Sequence, residues 1–406
     1  MKMGRSKVLF LVLFMILCVT LIQGASPTTI RIGYGGPTTT RDYMKEVLKD
    51  AESALPGIKI EEVAYPTYED MLALLPSQIA AGSAPDIVWW TAGDVTDYFS
   101  SGSVEPLDTK ALSSAGIDLK EYVPSAIKAF TVNGKLYGVP LQVQSSAFVI
   151  NQELLEKAGI KKLPETMNDV LNYSCQIKDK TGKAGLVLHL QVFHITHYVK
   201  AFGGGWNYGK TINSAANRRA LTFLADLFTK YKVAVTPKDF GCAWDGEVFA
   251  RGEAAMSTGG TWYIGSMREA APKLRYKLIG VPTTTKGKNF VLVDSGGWSV
   301  LNTCKNMEAA VKVLAFLSSD KAQKLLYTTP LLYIPSKAKF IDDYAKYVPE
   351  FASLKDLLPK GINFDYPQDI KKFNDDLIAG FEQLIYKPGS ITVDQLLSSL
   401  QKKYGQ

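Results

Sequence analysis

Between Thr29 and Trp90 the chain alternates strand-like runs with amphipathic ones, and this alternation constrains its fold more than any other feature. The segments "TIRIGYGG" (Thr29–Gly36) and "GIKIEEVAY" read as strands, as does Asp86–Trp90 within "PDIVWW". Between the first two, Arg41–Leu55 carries Tyr43, Val47, Leu48, Ala51 and Leu55 near helical spacing, and Met71–Ala80 predicts a second helix. Strands separated by helices in this way predict a mostly parallel sheet. In open sheets of that kind ligands bind beyond the carboxyl ends of the strands. Those ends are Tyr34–Gly36, Tyr65 and Trp89–Trp90.

A chain of 406 residues is too long for one ordinary core, so two domains are expected. The turn signal Asn133-Gly134 precedes an unusually long extended segment, Leu136–Ile150. A second one, "NFVLVDSGGWSVL", runs from Asn289 to Leu301. Strands of such length can cross between domains. A helix bearing Ala310, Val313, Leu314, Phe316 and Leu317 follows, and the tail from about Tyr333 reads as mainly helical. Two crossings and a helical return predict two discontinuous domains around a hinge.

Residues 1–24 have a basic start (Lys2, Arg5, Lys7) and an apolar run from Val8 to Ile22, followed by Gly24 and Ala25. They read as a secretory signal peptide cleaved near Gly24 or Ala25, the alternative being an uncleaved anchor. Cys18 has Leu17 before it, which argues against lipidation there. The formal net charge of +7 owes three positives to this leader, and no Lys/Arg run elsewhere exceeds two. Dispersed charge of this kind argues against a nucleic-acid partner. The remaining cysteines, Cys175, Cys242 and Cys304, are too few and too scattered for a disulfide framework or a zinc knuckle. They read as small buried residues, with Cys175–Cys242 the better candidate for an accidental pair.

Tryptophans recur beside glycines. Trp89 and Trp90 end a strand in "DIVWWTAGD"; Gly259–Gly260 precede Trp262 in "MSTGGTW"; Gly296–Gly297 precede Trp298; and Gly203 to Gly205 precede Trp206. A core tryptophan needs a partner for its N–H and close packing. One at a strand end beside bare backbone offers a flat face to a cleft instead, and glycine lets a ligand approach. A sugar ring suits such a site, because its C–H face stacks on indole while its hydroxyls need donors and acceptors. Asp94, Gln142, Gln144, Ser145, His194 and Asp245 lie near these loops.

Catalytic and cofactor motifs are not found. The three histidines, His189, His194 and His197, are spaced by five and three with no Cys or carboxylate nearby in sequence, which argues against a metal. The Gly-rich "GYGGPT" and "FGGGWN" carry neither a phosphate-loop lysine nor a GxGxxG pattern, and no GxSxG elbow occurs. The acidic pair Asp375–Asp376 reads as helix surface.

Four ordered motifs carry a resemblance to a known family. They are "GSAPDIVWWTAGDVTDYFSSGSVEPLD", "NGKLYGVPLQVQSSAFVIN", "VFARGEAAMSTGGTW" and "GGWSVLNTCKNMEAAVKVLAFLSSDKAQ". Over nearly all of the chain after residue 24 the sequence resembles the family 1 extracellular solute-binding proteins, sugar receptors of ABC importers. The resemblance implies an α/β, two-lobed periplasmic-binding-protein fold with a ligand cleft between the lobes. It implies one lobe of residues 27–143 plus 293–335 and another of 144–292 plus 336–406. It also implies a non-catalytic monomer, periplasmic or extracellular, without cofactor, that delivers a carbohydrate to a membrane permease. The same fold binding a polyol, a phosphorylated polyol or a peptide is the alternative; a secreted glycosidase is a more distant one. Residue by residue, Trp90 and Trp262 fall on sugar-stacking positions, and Gln144 and Ser145 on the first crossing. His194 falls near an aromatic ligand position, Trp206 on the G-G-aromatic motif, and Trp298 after the Gly pair of the second crossing. With Tyr34, Tyr65, Trp89, Asp94, Asp245, Gly260 and Gly297, these make up the expected ligand site. The chain departs from the maltose-binding members at Thr91, Ala92 and Gly93, where they carry charge, and at "FNDDL" (Phe373–Leu377), where they carry an aromatic pair.

Overall fold

A computed structural model describes residues 27–36 and 38–405. The expected leader, with Cys18, lies outside them. Strand β1 (Thr28–Gly35) is flanked by β2 (Ile58–Tyr65) and β3 (Ile87–Thr91), both parallel to it. The helix Thr38–Leu48 buries Tyr43, Met44 and Val47 on this sheet. The sequence placed its end at Leu55, but the chain breaks before Ala51–Ala54. Asp50 leaves helical geometry at φ −107° and ψ 12°, and Lys321 Nζ lies 2.6 Å from its carboxylate. The helix Tyr68–Ala80 starts earlier than Met71 because Thr67 caps it. The Thr67 hydroxyl accepts from the Asp70 N–H at 3.0 Å, and Glu69 and Asp70 sit favourably at the positive end.

Strands β4 (Thr131–Val132) and β5 (Lys135–Leu136) form the hairpin signalled by Asn133-Gly134. Both turn residues have positive φ, 50° and 75°, as such a turn requires. The remaining strands are β6 (Val139–Asn151), β7 (Ala184–Val187), β8 (Ala234–Val235), β9 (Ala254–Gly260), β10 (Tyr276–Ile279), β11 (Val293–Val300) and β12 (Ile334–Pro335). With β1 to β3 they form one sheet in the order β2-β1-β3-β11-β6-β9-β7-β8, and β10 and β12 also pair with β6.

The long strand β6 changes partner part-way. Up to Ser145 it pairs with β11, and from Ser146 to Ile150 with β9. At the change the Ser146 N–H donates to Leu292 O at 2.8 Å, and the Leu292 N–H to Ser146 Oγ at 2.7 Å. The apolar cores follow this division. One gathers β1 to β3 with Trp298 through Leu331, and another gathers Phe148 through Val281 with Phe373 through Leu400. A third lies under both crossings, where Val143, Ala147 and Val293 meet Tyr344, Phe351 and Leu358. The three cysteines are free, so the pair Cys175–Cys242 does not form; Cys242 is buried and the other two partly so.

Candidate functional site

Beyond the carboxyl ends of β1 and β3 lies a cavity of about 270 Å3, whose lining includes Tyr34, Tyr68, Trp89, Asp94, Gln144 and Trp298. Trp89 meets Tyr68 edge to face, with centroids 5.6 Å apart. Glycine at 296 makes room for it, since a Cβ there would sit 2.7 Å from the Trp89 ring. The Tyr68 hydroxyl accepts from the Thr91 N–H at 2.9 Å and donates to Asp94 Oδ2 at 3.2 Å. Asp94 is open to solvent yet walled by protein, the position of a group facing into a cleft. Loss of hydration there pushes its carboxyl up to about 6. Asp294, at the start of β11, is pushed up to about 7, first by burial and then by the charge of Asp94. N–H donors from Ser295 at 2.7 Å and Gly93 at 3.1 Å act against that rise.

A second aromatic wall is built after the end of β9. Trp262 opens the helix Trp262–Ala270 directly after β9. Its ring lies 5.4 Å from Phe193, which lies 5.5 Å from Phe364. Phe364 stacks on Tyr366 at 5.0 Å with planes 16° apart. All four rings are half-buried. The Tyr366 hydroxyl is held well above its ordinary range by burial, then by the charges of Asp294 and Asp94. The glycines of "MSTGGTW" make room for rings. A Cβ on Gly260 would lie 2.0 Å from the Trp262 indole, and one on Gly259 2.3 Å from Tyr263.

Behind the second wall Asp245 is 1% exposed. Its Oδ2 accepts from Ser257 Oγ at 2.5 Å and from the Tyr263 hydroxyl. Burial works to raise this carboxyl, but His194, His189, Ser257 and Tyr263 outweigh it and hold it at about 2. Burial pushes His194 down to about 4 despite that carboxylate. At neutral pH Asp245 is therefore ionised and His194 neutral.

The structure divides the expected site residues into three groups. Tyr34, Trp89, Asp94, Gln144 and Trp298 line the cavity, and Trp262 is half-exposed on the second wall. Gly260, His194 and Asp245 support that wall from behind. The others do not face the cleft. Trp90 is fully buried, donates from Nε1 to Ser299 Oγ at 2.9 Å and packs on Tyr98 and Phe99. Successive residues of a strand point to opposite faces, so the Trp89–Trp90 pair gives one ring to the cleft and one to the core. Trp206 is also fully buried, its Nε1–H donating to Thr196 Oγ1 at 2.7 Å against the edge of Phe373. Tyr65 is buried and donates to Gln78 at 2.6 Å. The buried Ser145 hydroxyl donates to Ser146 O at 3.1 Å, and Gly297 makes room for Phe130. Phe193, Phe364, Tyr366 and Tyr68 were missed. The two aromatic residues of the "NFDYP" loop (Asn363–Pro367) were the available signal, and Phe193 sits beside the histidine already singled out.

Comparison with known proteins decides the family. Residues 46–353 match the family described as bacterial extracellular solute-binding protein. The chain belongs to this family. Among curated relatives, a galactooligosaccharide-binding protein of Bacillus subtilis is 25% identical over 299 residues, covering 69% of this chain and 68% of that one. Among solved structures, an ABC substrate-binding protein of Listeria monocytogenes in complex with cycloalternan matches with a TM-score of 0.81 at 21% identity. The match covers 93% of this chain and 98% of that one. UgpB of Mycobacterium tuberculosis in complex with glycerophosphocholine matches with a TM-score of 0.78 at 18% identity, covering 94% and 98%. This solute-binding protein thus has the two-lobed fold expected of it. It is an extracytoplasmic solute receptor, not an enzyme.

Proposed function

We propose that this receptor captures a sugar or oligosaccharide between its two walls and delivers it to ABC permease subunits as a monomer, with no nucleic-acid partner. One observation carries the reading. Half-buried aromatic rings form two groups, Trp89 with Asp94 and Gln144 in the cavity lining and Trp262, Phe193, Phe364 and Tyr366 in the second wall, and this reading sets the two groups across one cleft. Flat rings match the C–H faces of a pyranose, and the acid and amide match its hydroxyls. The lobes in this reading are residues 27–143 plus 293–335 and 144–292 plus 336–406, and the leader is removed near Gly24 or Ala25. The second reading, a phosphorylated polyol, draws on the likeness to the glycerophosphocholine complex. It is disfavoured by charge, because the described residues of the cavity lining include Asp94, Gln142 and Gln144 and no Lys or Arg. Calorimetry against maltotriose, a galactooligosaccharide, a cyclic glucan and glycerophosphocholine tests both readings. Saturable binding of a saccharide is expected; binding of glycerophosphocholine alone would overturn the carbohydrate reading.

A further inference from the structure

We propose that His189, His194 and Asp245 form a binding site for a divalent transition-metal ion of the zinc class. The spacing of the histidines argued against a metal because no carboxylate stood near them in sequence. The fold brings one from some fifty residues away. His189 Nδ1 lies 3.6 Å from Asp245 Oδ1, and His194 Nε2 lies 3.9 Å from the same oxygen. The three atoms lie within 4.8 Å of one another. Donors on a tetrahedral ion at bond lengths of about 2.0–2.2 Å stand roughly 3.4 Å apart, so the set closes on a cation once its widest pair draws in by no more than about 1.4 Å. At their present separations neither imidazole makes a hydrogen bond to Oδ1. Two ring nitrogens are therefore aimed at one carboxylate oxygen without bonding it.

The surroundings are those of a built site. His194 is 4% exposed and Asp245 1%. The other nitrogen of His194 lies 3.3 Å from Thr258 Oγ1, which orients the ring. The other oxygen of Asp245 is fixed by Ser257 and Tyr263, leaving Oδ1 free to ligate. Outer partners of this type are what fix ligand orientation at metal centres. Two imidazoles and a carboxylate suit zinc and its neighbours rather than magnesium or calcium, which prefer all-oxygen sets. The His189 side chain is 22% exposed, which gives the ion a route in and leaves a fourth position for water. A bound ion would tie the loop before the helix Val192–Ala201, that helix and the helix Asp245–Ala250 together directly behind the Phe193–Trp262 wall.

The test uses untagged, metal-free protein, whose only imidazoles are His189, His194 and His197. Titration with Co2+, read by its visible absorption, should show one ion per chain, displaced by Zn2+ and untouched by excess Mg2+. His189→Ala should abolish the signal and also the rise in melting temperature that Zn2+ gives the parent. His194→Gln should do the same, and His197→Gln should leave both intact. Because His189 is partly exposed, its variant decides the matter even where His194→Gln fails to fold. The absence of saturable Co2+ binding, or Co2+ binding that survives in His189→Ala, overturns the proposal.

Discussion

Of the two tryptophans expected to stack on sugar, Trp90 and Trp262, the first is fully buried and the second half-exposed. That difference sets up opposite outcomes for one substitution. Trp90→Ala empties a fully buried site and strands the Ser299 hydroxyl, so it should cost roughly 3–5 kcal/mol of stability. Trp262→Ala should cost about 1 kcal/mol of stability but on the order of 2 kcal/mol of ligand binding, roughly thirtyfold. Chemical denaturation of the ligand-free protein and calorimetry with the bound saccharide give both numbers for both variants. A second residue-scale outcome concerns Asp94, whose carboxyl is raised to about 6. Ligand hydroxyls donate to the ionised form, so ligand binding favours it. Affinity should be level above neutrality and fall as pH drops through about 6. In Asp94→Asn the fall should vanish, which calorimetry across pH checks. The stability term runs the other way. The raised folded values of Asp94 and Asp294 mean that the native state binds more protons than the unfolded one between the ordinary carboxylate range and about 7. Their contribution is greatest in acid and is lost as pH rises through that window.

At the scale of elements, the parallel opening and the long strand β6 were legible because each rests on local pattern: apolar periodicity, strand-breaking glycines and an Asn-Gly turn. What local pattern could not supply was the direction in which a side chain at a strand end points. Trp89 and Trp90 look alike in sequence, and the pleat alone separates them. Nor could it show that Asp245 returns to His189 and His194, because that contact depends on packing the helix Asp245–Ala250 and the helix Val192–Ala201 on the same strand, β9. The aromatic pair Phe364 and Tyr366 was overlooked because neither is a tryptophan, the ring type the glycine pattern flagged, although Gly361 stands just before its loop. The glycines themselves have separable purposes. Gly259 faces the Tyr263 ring, which is fully buried and bonded to Asp245, so Gly259→Ala should overpack a fixed ring and cost roughly 1–3 kcal/mol of stability. Gly260 faces the Trp262 indole, which is half-exposed and can swing. Gly260→Ala should leave the unfolding midpoint nearly unchanged and weaken ligand binding. Equal loss of stability in the two variants would show that the indole is as fixed as the phenol.

For the whole molecule, the two principal cores touch different halves of β6, and the strand changes partner over two residues, Ser145 and Ser146. A rotation at that point needs to disturb few hydrogen bonds, chiefly those between Ser146 and Leu292. The third core limits the motion. Val143, Ala147 and Val293 are packed against Tyr344, Phe351 and Leu358, so the back of the hinge is filled and the walls can separate only on the cleft side. Closure about such a hinge brings Trp89 and Asp94 towards Trp262 and Tyr366 and excludes water from between them. A saccharide that touches both walls binds the closed form better than the open one, and only that difference can shift the population. Small-angle scattering should therefore show a smaller radius of gyration with ligand than without. Hydrogen exchange at Val143 and Val293 should stay slow in both states, because the third core does not open. The same ligand should raise thermal stability by about 2.7 kcal/mol at a hundred times its dissociation constant. A radius unchanged by saturating ligand, together with that stabilisation, would mean that the walls already stand at their bound separation and that the site is rigid.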